Sequence, residues 1–497
     1  VPGSASPAFQ LASGAIALSG ELEALEPVRQ SINSMLQVAA GQGVERASVV
    51  QAWVAKTQSV TPVLTQAMNA AAGGGAIAVA PSGLNTNNLS EALPGIADIF
   101  IGTLDIPYYQ TAPENVNDPA AIAGFWRGQG GSLLSRFNET PVATSVQTIP
   151  VLLTIPNANS GQTAPAAGWP IAIFVHGITR NRGDMLAIAD SMAQAGYAVI
   201  AIDQPMHGIT DSNSPLNAAN TPFPNDVERT FNLDLADNES GAAGPDGITD
   251  TSGTHFFSPA QLLNTRDNLR QSAADLRLLS ASVAGIVGAP IDETRKALIG
   301  YSLGGTAATT YAAFDNTLSS VSLMSPAAGL VQMVIASPAF SDPILAGLEA
   351  AGLVPGTPEF NQFVVAAQTV TDGGDPINFG AQTAALHNVH FVEVVGDEAA
   401  GVLPDQVVLN TVPGAPLSGS SPLAAVMGLG DPVSSNTGGA GEGVSGLVRF
   451  IRGDHGSFID PTASQAATVE MQTQVATYAV SGGTFITIAD PSVILVP

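Results

Sequence analysis

Ala297-Leu298-Ile299-Gly300-Tyr301-Ser302-Leu303-Gly304-Gly305-Thr306 joins a short apolar run to a G-x-S-x-G turn and then to small residues that continue as a helix. Strand, sharp turn and helix in that order make a nucleophile elbow. Such a turn strains the serine backbone and leaves room only for small neighbours, which Gly300 and Gly304 supply. Gly305 lets the helix lie close to the sheet. The reading predicts that the Ser302 hydroxyl stands above the sheet edge, at a helix N-terminus whose dipole favours negative charge. With 52 glycines in the chain the motif alone is weak. The strand before it and the helix after it give it weight.

Outward from the elbow, apolar runs alternate with helical patterns. Trp169 to Val175 reads as a buried strand ending in His176-Gly177-Ile178, with a helix over Asp184 to Ala195 after it. Tyr197 to Ile202 is the next strand and ends at Asp203. Arg266 to Leu279 is a charged amphipathic helix. Val321 to Met324, Val389 to Val395 and Leu447 to Ile451 are further strands, and Ile99 to Tyr109 and Val146 to Ile155 are extended. The alternation predicts a mostly parallel sheet with helices on both faces. Its functional residues should lie at the carboxyl ends of the strands.

Residues 1–97 read as a smaller N-terminal accessory region and 98–497 as the main domain. In the first, Leu22 to Ala39 has helical spacing, Val49 to Val54 reads as a strand, a helix starts at Thr61-Pro62, and Pro81 to Ser90 is a loop. Two insertions interrupt the main domain. Residues 209–259 are polar and rich in Gly and Asp; residues 328–385 are apolar and predict a cap or lid.

A serine hydroxyl needs a base within hydrogen-bond reach, usually a histidine held by a carboxylate. The chain has six histidines. Around such an elbow the partners follow in the order serine, acid, histidine. His176, His207 and His255 come too early, and His387 and His390 sit at the wrong end of a strand. His455, in Gly453-Asp454-His455-Gly456-Ser457 after the last strong strand, is left as the base. For the acid, Asp405 has a small apolar segment behind it and is favoured; Asp397, nearer the strand end, and Glu398 stay open. The oxyanion of a tetrahedral intermediate needs backbone N–H donors. Leu303 supplies one, and Ile178, with Thr179 next in line, the other. His176 then shapes its loop, and Asp203 to Gly208 reads as loop or pocket wall.

Metal chemistry has less support. His387 and His390 are three apart on a strand and point to opposite faces. The oxygen-rich loop around Asp246 and Asp250 would suit a structural calcium ion or, better, a solvated turn. No cofactor is called for.

Composition limits the partners. Net charge is −26, with 41 acidic and 15 basic residues, and Lys56 and Lys296 are the only lysines. Such a surface repels nucleic acid and anionic membranes. No run of 18 apolar residues predicts a membrane span. With no cysteine, disulfides and thiolate chemistry are excluded. The expected state is a soluble, secreted monomer.

Gly-Tyr-Ser-Leu-Gly-Gly at 300–305, Val-His-Gly-Ile-Thr at 175–179, Leu-Pro-Asp-Gln-Val-Val at 403–408 and above all Gly-Asp-His-Gly-Ser-Phe-Ile-Asp-Pro at 453–461 resemble bacterial extracellular lipases of the virulence-factor type. The likeness runs from about Asp98 to the end, and more faintly over Trp53 to Leu64. It implies an α/β-hydrolase fold with an N-terminal accessory region. It also implies a secreted or surface-bound serine carboxylester hydrolase using Ser302, His455 and, before Asp397, Asp405. It further suggests that Val1 falls part-way through the usual N-terminal region. Substrates implied are acyl esters, lipids at an interface, phospholipids or polyesters, with acyl transfer as a variant. From another class, a non-catalytic surface-binding protein would keep the fold.

Overall fold

The computed structural model describes residues 6–53, 57–222, 228–430, 432–439 and 441–496. The chain divides into two compact units, residues 1–59 and 60–497. The accessory region is therefore shorter than the expected 1–97, because the segment after residue 60 is built into the large unit. The helix Thr61–Ala71 buries Val63, Leu64, Ala67 and Met68 in the main core.

In the first unit the expected helix runs Glu26–Gly41 and buries Ile32 and Leu36 with Phe9. Residues 49–53 form no strand, and Val54 lies outside the described residues. Among the described residues of the first unit there is no strand for that β-rich stretch to pair with, and Val49 and Ala52 pack instead on the cluster of Phe9, Ile32 and Leu36.

The large unit contains the strands β1 (Ile77–Asn85), β2 (Ala97–Tyr108), β3 (Ser145–Pro156), β4 (Trp169–Val175), β5 (Ala198–Ile202) and β6 (Ile286–Val287). After these come β7 (Ile291–Tyr301), β8 (Leu318–Met324), β9 (Val389–Val394), β10 (Thr437–Gly438), β11 (Gly446–Phe450) and β12 (Phe485–Ile486). One sheet has the order β11-β9-β8-β7-β4-β5-β3-β2-β1-β6, and β10 pairs with β12 separately. From β5 to β11 the neighbours are parallel, as the alternating pattern predicts. Beyond β5 the sheet turns antiparallel through β3, β2 and β1. Strand β1 covers part of the expected loop at Pro81 to Ser90. Its register shifts between Pro81 and Asn85, so the proline sits at an irregularity where no ladder donor is needed.

Helices cover both faces. Leu262–Ser282 and Leu303–Ala312 pack on one, and Leu186–Gln194 and Gln465–Val480 on the other. The insertion 328–385 folds as the helices Leu330–Ala336, Ser341–Ala350, Pro358–Thr371 and Gly380–Leu386. No single helix among the described residues is long and apolar enough to cross a membrane; the apolar pair Leu330–Ala336 and Ser341–Ala350 is bent by 101°.

The insertion 209–259 is tied down by buried charge. Arg182, 2% exposed, reaches both Asp203 at the end of β5 and Glu228, at 2.8 Å from its Nη2 to Oε1. Arg229 pairs with Asp275 of the long helix. Removing one partner of a buried pair leaves the other charge stranded. Arg182→Ala should therefore lower unfolding free energy by about 3–5 kcal/mol, read from urea denaturation.

His387 and His390 bond on opposite sides of the sheet, but only His390 is in β9; His387, expected on the same strand, caps the helix Gly380–Leu386. His387 Nε2 is 3.0 Å from the Ala312 carbonyl, and His390 Nε2 is 3.0 Å from Gln474 Oε1. Burial pushes His390 down to about 4 from 6.5. Between those values the unfolded chain binds the extra proton, so stability falls as pH drops from 6.5 towards 4, by about 1.4 kcal/mol per unit. His390→Gln should flatten that part of the stability–pH curve, measured by denaturant titration at each pH.

Candidate active site

Ser302 stands between β7 and the helix Leu303–Ala312, with φ 56° and ψ −122°. A non-glycine residue there is strained, and surrounding structure must hold it. Its N–H donates to the Met324 carbonyl at the end of β8 (2.8 Å). The glycines make the close packing possible. A Cβ on Gly304 would lie 2.0 Å from the Val175 carbonyl oxygen, and one on Gly300 2.6 Å from the Gly304 carbonyl oxygen. Gly305 faces Pro326 in the same way, so the helix sits directly against the sheet.

His455 and Asp405 converge on the serine. His455 Nε2 is 2.9 Å from Ser302 Oγ, and His455 Nδ1 is 2.6 Å from Asp405 Oδ2. A carboxylate can only accept, so Nδ1 carries the proton and Nε2 accepts from the serine hydroxyl. Asp405 is buried, and its other oxygen accepts from the N–H groups of Val407 (2.8 Å) and Val408 (2.9 Å). Its own N–H bonds to the Val394 carbonyl (3.1 Å), which fixes the loop to the end of β9. The Tyr301 ring lies 5.4 Å from the His455 ring, centre to centre. In the His455 turn the Ser457 hydroxyl accepts from the Asp454 N–H (2.9 Å).

Asp397 is not part of this line. Arg452 bonds its carboxylate at 2.8 Å and holds it below the usual carboxylate range. Glu398 is exposed in the short turn that follows.

Of the two expected N–H donors, Leu303 directly follows the serine and Ile178 packs against the same apolar cluster. Leu303 is the first residue of its helix, so its N–H has no carbonyl one turn back to bond. Leu303 and Ile178 belong to one apolar cluster. The strand-end loop comes close: a Cβ on Gly177 would lie 3.2 Å from Ser302 Cβ. Thr179 takes φ 63° at the turn of that loop. His176 shapes it from below. Its Nε2 accepts from the Gln204 N–H (3.0 Å) and its Nδ1 donates to the Gly177 carbonyl (2.8 Å). Burial keeps the ring neutral by pushing its pKa down.

Some supports were not legible beforehand. His207, read as loop or pocket wall, is fully buried with its ring 4.9 Å from that of His176. Its Nδ1 donates to the Pro205 carbonyl (2.8 Å), and its Nε2 has no hydrogen-bond partner among the described residues. Ser252 Oγ ties the Arg180 carbonyl (2.6 Å) to the Gly208 N–H (3.1 Å), so the long polar insertion braces the loop of Ile178. Ser337, in the apolar insertion, donates to the Val407 carbonyl beside Asp405 (2.8 Å). Only folding brings these distant segments together.

The proposed calcium loop has other uses for its oxygens. Asp250 accepts from the Leu235 N–H (2.7 Å) and lies 2.7 Å from His255 Nε2. Asp246 accepts from the N–H groups of Asn238 (2.9 Å) and Ile248 (2.8 Å). Among the described residues no three His, Asp or Glu side chains gather as a metal site would need.

A family model described as alpha/beta hydrolase fold matches residues 170–388, which include β4, the elbow and the apolar insertion. The chain has the α/β-hydrolase fold. No curated protein matches it. Among solved structures it is similar to an acetyl xylan esterase from Paenibacillus sp. R4, at 14% identity and TM-score 0.41, covering 81% of this chain and 91% of that one. A putative dienelactone hydrolase from Klebsiella pneumoniae subsp. pneumoniae MGH 78578 is similar at 13% identity and TM-score 0.35, over 67% and 93% of the two chains. A monoacylglycerol lipase from Paleococcus ferrophilus is similar at 14% identity and TM-score 0.34, over 64% and 96%.

The two acids can be separated by experiment. Asp405→Asn should cut kcat on an activated ester by about 10³–10⁴-fold, since the amide holds the wrong histidine tautomer. Asp397→Asn should stay within about twofold of the parent, with p-nitrophenyl butanoate hydrolysis as the measurement for both.

Proposed function

We propose that the protein is a serine carboxylester hydrolase working through an acyl-enzyme intermediate. The observation that carries this reading is the continuous line from Ser302 Oγ to His455 Nε2 (2.9 Å) and from Nδ1 to Asp405 (2.6 Å), with the serine on a strained elbow. His455 takes the hydroxyl proton as Ser302 Oγ attacks the ester carbonyl carbon. Asp405 holds the ring and stabilises the imidazolium that forms. Negative charge collects on the former carbonyl oxygen, towards the N–H groups of Leu303 and Ile178. The bond to the leaving alkoxide then breaks, and His455 returns its proton to that oxygen. Water, deprotonated by the same ring, attacks the acyl carbon and frees the acid. This chemistry calls for no metal or organic cofactor.

The line favours ester hydrolysis over a surface-binding role, since a binding protein has no need of a strained serine aligned with a base. Placement with the secreted virulence-factor-type lipases rests on the 453–461 motif and its neighbours. Under that placement the protein works outside the cell or at its surface, as a monomer, on esters or lipids.

Ser302→Ala should abolish hydrolysis of p-nitrophenyl butanoate, with a loss of at least about 10⁴-fold, while its circular dichroism matches the parent. A fluorophosphonate probe should label the parent at Ser302 and leave the variant unlabelled. Ester hydrolysis retained by pure Ser302→Ala would overturn the mechanism.

A further inference from the structure

Between the apolar insertion and the long helix Leu262–Ser282 lies a cavity of about 110 Å³. Leu269, Leu330, Val334, Ile344, Leu348 and Phe363 line it. Leu269, Leu330 and Val334 belong to the same apolar cluster as Leu303 and Ile178. Through these three residues the cavity wall packs against the apolar cluster that holds Leu303, the residue after the serine.

The wall offers almost nothing polar. The hydroxyl of Thr265 donates to the Ser258 carbonyl (3.2 Å), and that of Thr371 donates to the Ala367 carbonyl (3.0 Å). Both are used within the protein, which leaves Ser258, at the edge of the long helix, as the remaining hydroxyl in the lining. An apolar cavity of about 150 Å³ stays dry and accepts a six-carbon ring. At 110 Å³ this one suits an alkyl chain of about four to six carbons. A hydroxyl or second ester at the far end of the chain would be buried there without a partner, which is unfavourable.

We propose that this cavity is the acyl site, that it selects unsubstituted aliphatic acyl groups of about four to six carbons, and that Val334 and Phe363 set the accepted length. The proposal rests on the ester-hydrolase reading of Ser302. It separates simple aliphatic esters from polyester segments and hydroxyacyl esters, whose distal polar groups the cavity cannot satisfy.

The test is a kcat/KM profile for p-nitrophenyl esters from acetate to palmitate, together with p-nitrophenyl 6-hydroxyhexanoate. The parent should peak at butanoate or hexanoate and prefer hexanoate over its 6-hydroxy analogue about tenfold. Val334→Trp should lower the hexanoate-to-acetate ratio at least tenfold, and Phe363→Ala should move the optimum to longer chains. Val365→Ala, on the exposed side of the helix that carries Phe363, serves as a control and should keep the parent profile. A parent profile peaking at acetate or palmitate, no preference against the hydroxy analogue, or an unshifted optimum in Phe363→Ala would overturn the proposal. If Val334→Trp loses its fold, Phe363→Ala decides. A parent that hydrolyses none of the esters and takes up no fluorophosphonate overturns the hydrolase reading itself, whereas labelling with a flat chain-length profile overturns only the acyl site.

Discussion

The contact between Gly304 and the end of β4 is the constraint on which the site depends. With a Cβ 2.0 Å from the Val175 carbonyl oxygen excluded, only glycine lets the helix Leu303–Ala312 start so close to the sheet. That closeness holds Ser302 at positive φ and brings it beside the loop of Gly177. The strained position of Ser302 and its nearness to the Gly177 loop follow from one missing methyl group.

The rest of the large unit keeps the strand ends in register with that contact. Asp405 is fastened to β9 through its own N–H and to its loop through two further N–H donors, so His455 meets a carboxylate with little freedom to turn. His176 does the same for the opposite loop as a buried neutral ring bonded at both nitrogens. The insertions add a second layer of restraint. The polar one is anchored through the Arg182 and Arg229 pairs and braces the loop of Ile178, and the apolar one docks through Ser337 on the segment after Asp405. Movement of the apolar insertion would thus be felt at the acid as well as at the cavity wall.

The site was legible in the sequence to an unusual depth because its parts obey local rules. G-x-S-x-G needs small residues around a strained turn, and the His455 loop needs glycines for free approach. His387, expected on the strand with His390, instead caps the helix Gly380–Leu386, so its direction is set by the helix end and not by strand alternation. The choice between Asp405 and Asp397 was not local. It turned on Arg452, which occupies Asp397, and on the reach of His455 across 50 residues of chain. Strand β1 was missed because Pro81 argues against a strand until the register shift around it is known. The strand expected at Val49 failed for the converse reason, since β propensity without a partner edge makes no sheet.

By itself, then, the sequence determined the parallel half of the sheet, the elbow and the serine and histidine, because strand and turn chemistry are written in consecutive residues. It also bounded the partners through the charge of −26 and the absence of cysteine. Only the tertiary structure decided which aspartate faces His455, where the sheet turns antiparallel and which unit residues 60–97 join. It alone revealed the apolar cavity, whose wall is assembled from helices up to about a hundred residues apart. Those features are products of packing and of buried charge finding its partner, and neither leaves a periodic trace in the chain.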